Sequence, residues 1–166
     1  MHPAELPVAC LLSDCSFTRT KGRGPGGQHR NKVETAVVVT HLATGIRGAA
    51  SERRSQHQNR QAAIFRLRLQ LALEVRTLRD PSQVPSQLWQ DRAQGTRLPL
   101  SGTHNDFPAI LSELLDVLHN HQLDFKLAAT QLGSTPSQLV RILKRQPAAW
   151  QWTTTARADH GLPALR

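Results

Sequence analysis

Gly22-Arg23-Gly24-Pro25-Gly26-Gly27-Gln28, followed six residues later by Thr35-Ala36-Val37-Val38-Val39-Thr40-His41-Leu42, is the stretch from which the rest of this chain is read. Four of the ten glycines fall in the first heptad. Glycine tolerates positive φ and lets main chain approach a ligand without a Cβ in the way. The heptad therefore predicts an exposed loop that presents backbone and one amide side chain, Gln28. Lys21 before it, Arg23 within it and His29-Arg30-Asn31-Lys32 after it aim that loop at an anion. A flexible linker is the competing reading. It is weakened by the lack of serine padding and by the direct run into a valine-rich segment.

Outward from the loop, the β-branched run Thr35 to Leu42 predicts a buried strand. Upstream, Cys15-Ser16-Phe17-Thr18-Arg19 alternates and predicts a strand entering the loop, with Leu6 to Asp14 as a short helical lead-in. Ala43-Thr44-Gly45 reads as a turn and Ile46 to Ala50 as a returning strand, weakened by Gly48. Ser55 and Gln58 form a capping box for a helix running to about Arg79. Its apolar face is Ile64, Leu67, Leu71, Val75 and Leu78. Arg53, Arg54, Arg60, Arg66, Arg68 and Arg76 crowd its start and other sides without glutamates at i,i+4. They predict either a solvated basic face or one that contacts phosphate.

The formal charge of +9 and the pI near 11.2 point to nucleic acid or anionic lipid as partner. The charge is uneven: residues 1–80 carry 13 Lys+Arg against 6 Asp+Glu, residues 81–166 only 8 against 6. Hydrophobic content of 39% suffices for a core, but with 4% aromatics aliphatic side chains must fill it. No apolar run of about 18 residues exists, so no membrane span is expected. The start Met1-His2-Pro3-Ala4-Glu5 lacks a secretory pattern. Cys10 and Cys15 allow a disulfide or a zinc ligand pair, with reduced structural thiols the readier reading. A cytoplasmic monomer without metal or cofactor is expected.

Asp80 to Gly102, with Pro81, Pro85, Pro99 and Gly95, reads as a linker with a turn near Leu88-Trp89. Three helices follow. Asn105 or Asp106 opens one through His119; Asp124 caps the next, which ends at Gly133; Thr135 caps the third, with Pro136 at its first position and Pro147 beyond its end. Ala129, Gly133, Leu139 and Ile142 stand at the small, turn-glycine and core offsets of a helix-turn-helix. The third helix offers Arg141, Lys144 and Arg145 to nucleic acid, plain packing or protein contact being the alternative. Trp150 and Trp152 would stack on bases or cap the small core.

Taken in order, Gly26-Gly27-Gln28, Asn31-Lys32, Thr40-His41-Leu42-Ala43-Thr44-Gly45-Ile46 and Glu52-Arg53-Arg54-Ser55-Gln56-His57-Gln58-Asn59 resemble the catalytic domain of class-I bacterial-type peptide chain release factors. The resemblance covers residues 8–79, and Gly24-Pro25 is similar to the codon-independent stalled-ribosome rescue members. It implies hydrolysis of the peptidyl-tRNA ester on the ribosome, which supplies most of the active site. Gly26, Gly27 and Gln28 are then the catalytic residues. The Gln28 backbone N–H stabilises charge developing at the ester, and its side chain positions or admits water. The ribosomal RNA of the peptidyl transferase centre and the tRNA are met by Arg19, Lys21, Arg23, His29, Arg30, Asn31, Lys32, Arg53, Arg54 and His57. His29 as a general base is the lesser alternative to phosphate contact.

Two departures bear on selection of the complex. Only about fifteen residues precede the strand that enters the loop, so stop-codon reading by the usual domain is not expected. Residues 103–166 are patterned as a helical module where rescue members carry a basic disordered tail. The expected organisation is a catalytic domain over 1–80, a linker over 81–102 and a helical module over 103–166. The fold class is α+β, a small, mostly antiparallel sheet of three or four strands with one long packed helix, followed by the all-α module. The competing function is a helix-turn-helix nucleic-acid-binding protein with the basic half as anchor. A free-standing hydrolase fits poorly, since no nucleophile stands with a carboxylate and oxyanion donors in a recognisable order.

Overall fold

The computed structural model of the chain describes residues 1–20 and 35–165. Two compact units divide it, the first holding Pro3–Glu74 and the second Val75–Arg166. The class is α+β.

In the first unit, a 3-10 turn at Pro3–Glu5 and α1 (Val8–Ser13) lead into β1 (Cys15–Thr20). The sheet continues with β2 (Ala36–His41) and β3 (Arg47–Ala50), is antiparallel throughout and has the order β1-β2-β3. Cys15 faces His41 and Thr20 faces Ala36, so the segment carrying the glycine heptad leaves and rejoins the sheet at paired positions. Gly45 closes the β2–β3 turn at φ +72°, its N–H donating to the His41 carbonyl at 2.8 Å. Across the sheet lies α2 (Gln56–Glu74), which packs on β2 and β3. The Gln58 N–H donates to Ser55 Oγ at 3.4 Å, the expected cap.

Gly48 has a use that strand propensity alone does not express. A Cβ there would lie 2.1 Å from the Ala63 carbonyl oxygen and 2.4 Å from the Leu67 nitrogen. The missing side chain lets the helix backbone rest on β3. The core face of α2 is accordingly Asn59, Ala63, Leu67, Arg68, Leu71 and Ala72. Leu67 and Leu71 match the expected stripe, but Ile64 is only half-buried, and the helix stops at Glu74 rather than near Arg79. Val75 and Leu78 therefore lie beyond it, Leu78 being 93% exposed. Arg68 is buried because its Nε and Nη2 donate to the Ala4 carbonyl at 3.1 and 2.8 Å.

The second unit is built around α4 (Phe107–Asn120), in which every residue from Phe107 to Leu118 is buried. Stretch 81–102 carries a 3-10 turn at Pro81–Gln83, α3 (Gln87–Arg92) and a bridge between Gln94 and Arg97, and it buries Trp89, Leu98 and Leu100. Two buried carboxylates of α4 hold this part of the chain. Glu113 accepts from the Ser86 N–H and hydroxyl, both at 2.6 Å. Asp116 accepts from the Thr77 N–H at 3.1 Å, the Thr77 hydroxyl at 2.6 Å and Arg79 Nε at 3.1 Å. A carboxylate survives out of water only with such partners.

The helices α5 (Phe125–Gln131) and α6 (Pro136–Lys144) follow, and a fourth, α7 (Pro147–Asp159), begins where the sequence pattern stops at Pro147. Proline is as good a first helical residue as it is a terminator of the preceding helix. Asp124 accepts from the Lys126 and Leu127 N–H groups, and the Gln138 N–H donates to Thr135 Oγ1, as the caps require. No described helix is long and apolar enough to cross a membrane.

Candidate nucleic-acid interface

The distinctive surface of the first unit follows from where α2 lies. Phe17 and Arg19 are two apart on β1, so their side chains share one face of the sheet. Their register partners Val39 and Val37 are buried on that face. Because α2 covers β2 and β3, the corresponding face of β1 stays open: Phe17 is 38% exposed and Arg19 is exposed. The result is a depression of about 350 Å³ lined by Phe17, Arg19, Val37, Gln56, His57 and Arg60.

None of the six lining residues is acidic, and the first turn of α2 holds no carboxylate. The Arg60 guanidinium sits 4.6 Å from the centroid of the Phe17 ring, a cation–π contact. His57 Nε2 and Gln61 Nε2 lie 3.0 Å apart on the exposed side of the helix. Arg53 and Arg54 are exposed in the bend that leads into α2. The bend is held by Asn59, which is fully buried: its Oδ1 accepts from the Arg53 N–H at 2.9 Å, and its Nδ2 donates to the Arg53 carbonyl at 2.9 Å.

The basic set of α2 is less free than its lack of i,i+4 glutamates predicts. Arg66 donates to the Ala49 carbonyl at 2.6 Å and pairs with Glu52 at 2.5 Å. That guanidinium is the main reason the Glu52 carboxyl is held below the usual carboxylate range. Arg68 serves Ala4, while Arg76 lies beyond the end of α2 and stands 3.7 Å from Asp116 within the second unit. Partners arrive from the sheet and from other helices, which helical periodicity does not reveal.

Of the residues predicted to meet RNA, Arg19 and His57 line the same depression, with Arg53 and Arg54 just before the helix that carries His57. Gly26, Gly27 and Gln28, and with them Lys21, Arg23, His29, Arg30, Asn31 and Lys32, lie outside the described residues. Phe17 was not singled out by sequence reasoning. Its place in an alternating strand reads as core-facing, and only the lateral position of α2 exposes it. In the second unit Arg141 and Lys144 are exposed, and Lys144 Nζ stands 4.9 Å over the Trp150 ring. Arg145, also exposed, donates from Nη1 to the Leu98 carbonyl at 3.2 Å and to the Leu100 carbonyl, so one of its nitrogens is used within the fold. Cys10 and Cys15 are both free thiols. Among the described residues no three His, Cys, Asp or Glu side chains gather as metal ligands would.

Comparison with known proteins agrees with the ordered motifs. The chain is 37% identical over 88 residues to peptide chain release factor 1 of Rickettsia typhi, a match covering 51% of this chain and 25% of that protein. It is 52% identical over 72 residues to peptide chain release factor 1 of Acidiphilium cryptum, covering 43% and 20%. With the chloroplastic peptide chain release factor PrfB1 of Arabidopsis thaliana it shares 50% over 67 residues, covering 40% and 14%. Each match thus spans a quarter or less of the relative's own length. No solved structure gives a significant match. The RF-1 domain model matches residues 6–97, more than half of the chain, and the chain belongs to the RF-1 domain family.

Proposed function

We propose that this chain acts on the ribosome to promote hydrolysis of the peptidyl-tRNA ester, and that it does so without reading a stop codon. The observation that carries this reading is the family match over residues 6–97, which contains Gly26-Gly27-Gln28 between two paired strands. Release chemistry is assigned to residues 1–80. The ester carbonyl gains negative charge as water attacks, and the Gln28 N–H donates to that oxygen. Removing one such preorganised donor costs roughly 10²- to 10³-fold in rate. The two glycines keep the tip slender enough to enter an RNA-walled site. Arg19, Arg53, Arg54 and His57 supply charge toward ribosomal RNA. The codon-independent element rests on Gly24-Pro25, and selection of the stalled complex is assigned to the helical module 103–166 in place of a basic tail. Release of labelled peptide from stalled ribosomes, compared for wild type and Gly27→Ala, tests the proposal. Equal release by both sinks it.

A second reading is favoured by one observation in the second unit. Helices α5 and α6 are joined through Gly133 at φ +60°, the conformation a short turn between steeply crossing helices asks for, and Arg141 and Lys144 are exposed on α6. In this reading the pair is a helix-turn-helix that recognises a duplex. Sequence-selective duplex binding that is lost in Arg141→Ala/Lys144→Ala and kept in Gly27→Ala would support it. A gel shift with random competitor that shows no preference removes it.

A further inference from the structure

We infer that the open shelf between β1 and α2 is a nucleotide-binding groove: it takes one unpaired nucleotide of single-stranded RNA, the base stacked on Phe17 and the phosphates met by Arg19, Arg60 and His57. The choice of RNA rests on the release reading; the groove itself rests on its own geometry. Four observations converge there. Phe17, the one Phe, Tyr or Trp among the described strand residues, stands with more than a third of its surface in water. A guanidinium already lies against its ring, 4.6 Å from the centroid. Among the described residues the lining holds two arginines, a histidine and an amide but no carboxylate. A volume of about 350 Å³ lies at the small end of ligand sites, the size one nucleotide needs.

The guanidinium indicates what the ring accepts. It is planar, delocalised and weakly hydrated, and it occupies an aromatic face as a base would. A base displaces it at little cost in desolvation, and the freed Arg60 gains a phosphate partner at the rim. Stacking of this kind tolerates any base because each presents a π-face. An A-form duplex keeps its bases inside and cannot use the shelf. The groove therefore discriminates by strandedness, not by sequence. An acidic protein segment would satisfy the arginines but leave the Phe17 face without a planar partner.

Fluorescence anisotropy of dye-labelled hexauridylate, titrated with the full chain over a range of salt, tests this. Phe17→Ala is expected to weaken binding about tenfold or more with an unchanged salt slope, since stacking carries no counterion release. Arg19→Ala is expected to weaken binding and to lower the slope by about 0.7, the share of one phosphate contact on a single strand. Phe17→Trp keeps the stack and retains binding, which separates a lost contact from a lost fold. An unchanged affinity in Phe17→Ala overturns the proposal, as does equal binding of a hexanucleotide duplex. So does competition by a polyglutamate peptide that depends on Phe17. Release assays separate this idea from the one it rests on. Phe17-dependent RNA binding in a chain that releases no peptide keeps the groove and removes the release reading; release without any Phe17 effect on RNA binding does the reverse.

Discussion

Asn59 Nδ2 donates to the Thr35 carbonyl at 2.7 Å, across 24 residues of sequence, while its other contacts hold both the N–H and the carbonyl of Arg53. One buried amide thus joins the helix, the residue just before β2 and the bend before α2. Asn59→Ala leaves three backbone groups without their partner. We expect a loss of about 3 kcal/mol in unfolding free energy, measured by urea denaturation followed by far-UV circular dichroism. A loss under about 1 kcal/mol would mean that water replaces the amide without penalty.

Gly48→Ala places its new carbon against main-chain atoms of Ala63 and Leu67, which cannot rotate away. The expected cost is about 3 kcal/mol or more. Gly45→Ala is the contrast: nothing lies within 4 Å of its Cβ position, and only φ +72° opposes it. It should cost about 1 kcal/mol. Thermal melts of the two variants, compared side by side, check the order. A Gly48 variant as stable as the Gly45 variant contradicts the close approach of α2 to β3.

Asp116 is wholly buried, and its arginine neighbours Arg76 and Arg79 keep only 17% and 11% of their side chains exposed. Asp116→Ala removes the buried counter-charge of Arg76 and Arg79 together with the acceptor of the Thr77 donors, at an expected cost of about 3 kcal/mol or more. All three tryptophans, Trp89, Trp150 and Trp152, belong to the second unit, so intrinsic fluorescence reports its unfolding. Asp116→Asn keeps an acceptor for Thr77 and should cost less. If the two variants melt together, the shape and acceptor capacity of the side chain contribute nothing beyond the carboxylate charge.

The Cys15 thiol donates to the Leu11 carbonyl at 3.2 Å, and burial, followed by the neighbouring Asp14 carboxylate, pushes its pKa up. Since the thiolate is the reactive form, less of it exists near neutral pH than in an unfolded chain. In a Cys10→Ser background, iodoacetamide should modify Cys15 more slowly in the folded protein than in denaturant. The pH at half-maximal rate should lie above the ordinary value of about 8.5. The same rate in both states contradicts the shift.

Much of this could be read in advance where signals are local. The strand into the glycine segment, the Gly45 turn, the Ser55, Asp124 and Thr135 caps and the aliphatic character of α4 all depend on neighbours a few residues away. What escaped reading depends on distant partners. Helical periodicity names Ile64, but Gly48 draws Ala63 against the sheet in its place, beside the expected Leu67. Pattern gives Arg66 and Arg68 to solvent or phosphate, whereas Ala4 takes Arg68 into the core and Ala49 and Glu52 bind Arg66, which stays exposed. Pro147 reads as an ending and serves also as a beginning. The candidate groove was half legible for the same reason: its charges stand out in the sequence, while the exposure of Phe17 is decided by which strands a helix chooses to cover.

An absent side chain on one edge of the sheet thus has an effect at the opposite edge. With nothing at position 48 to hold it off, α2 settles toward β3 and leaves the β1 side roofless. The vacancy that receives a guest in this fold is therefore written two strands away from where the guest would lie.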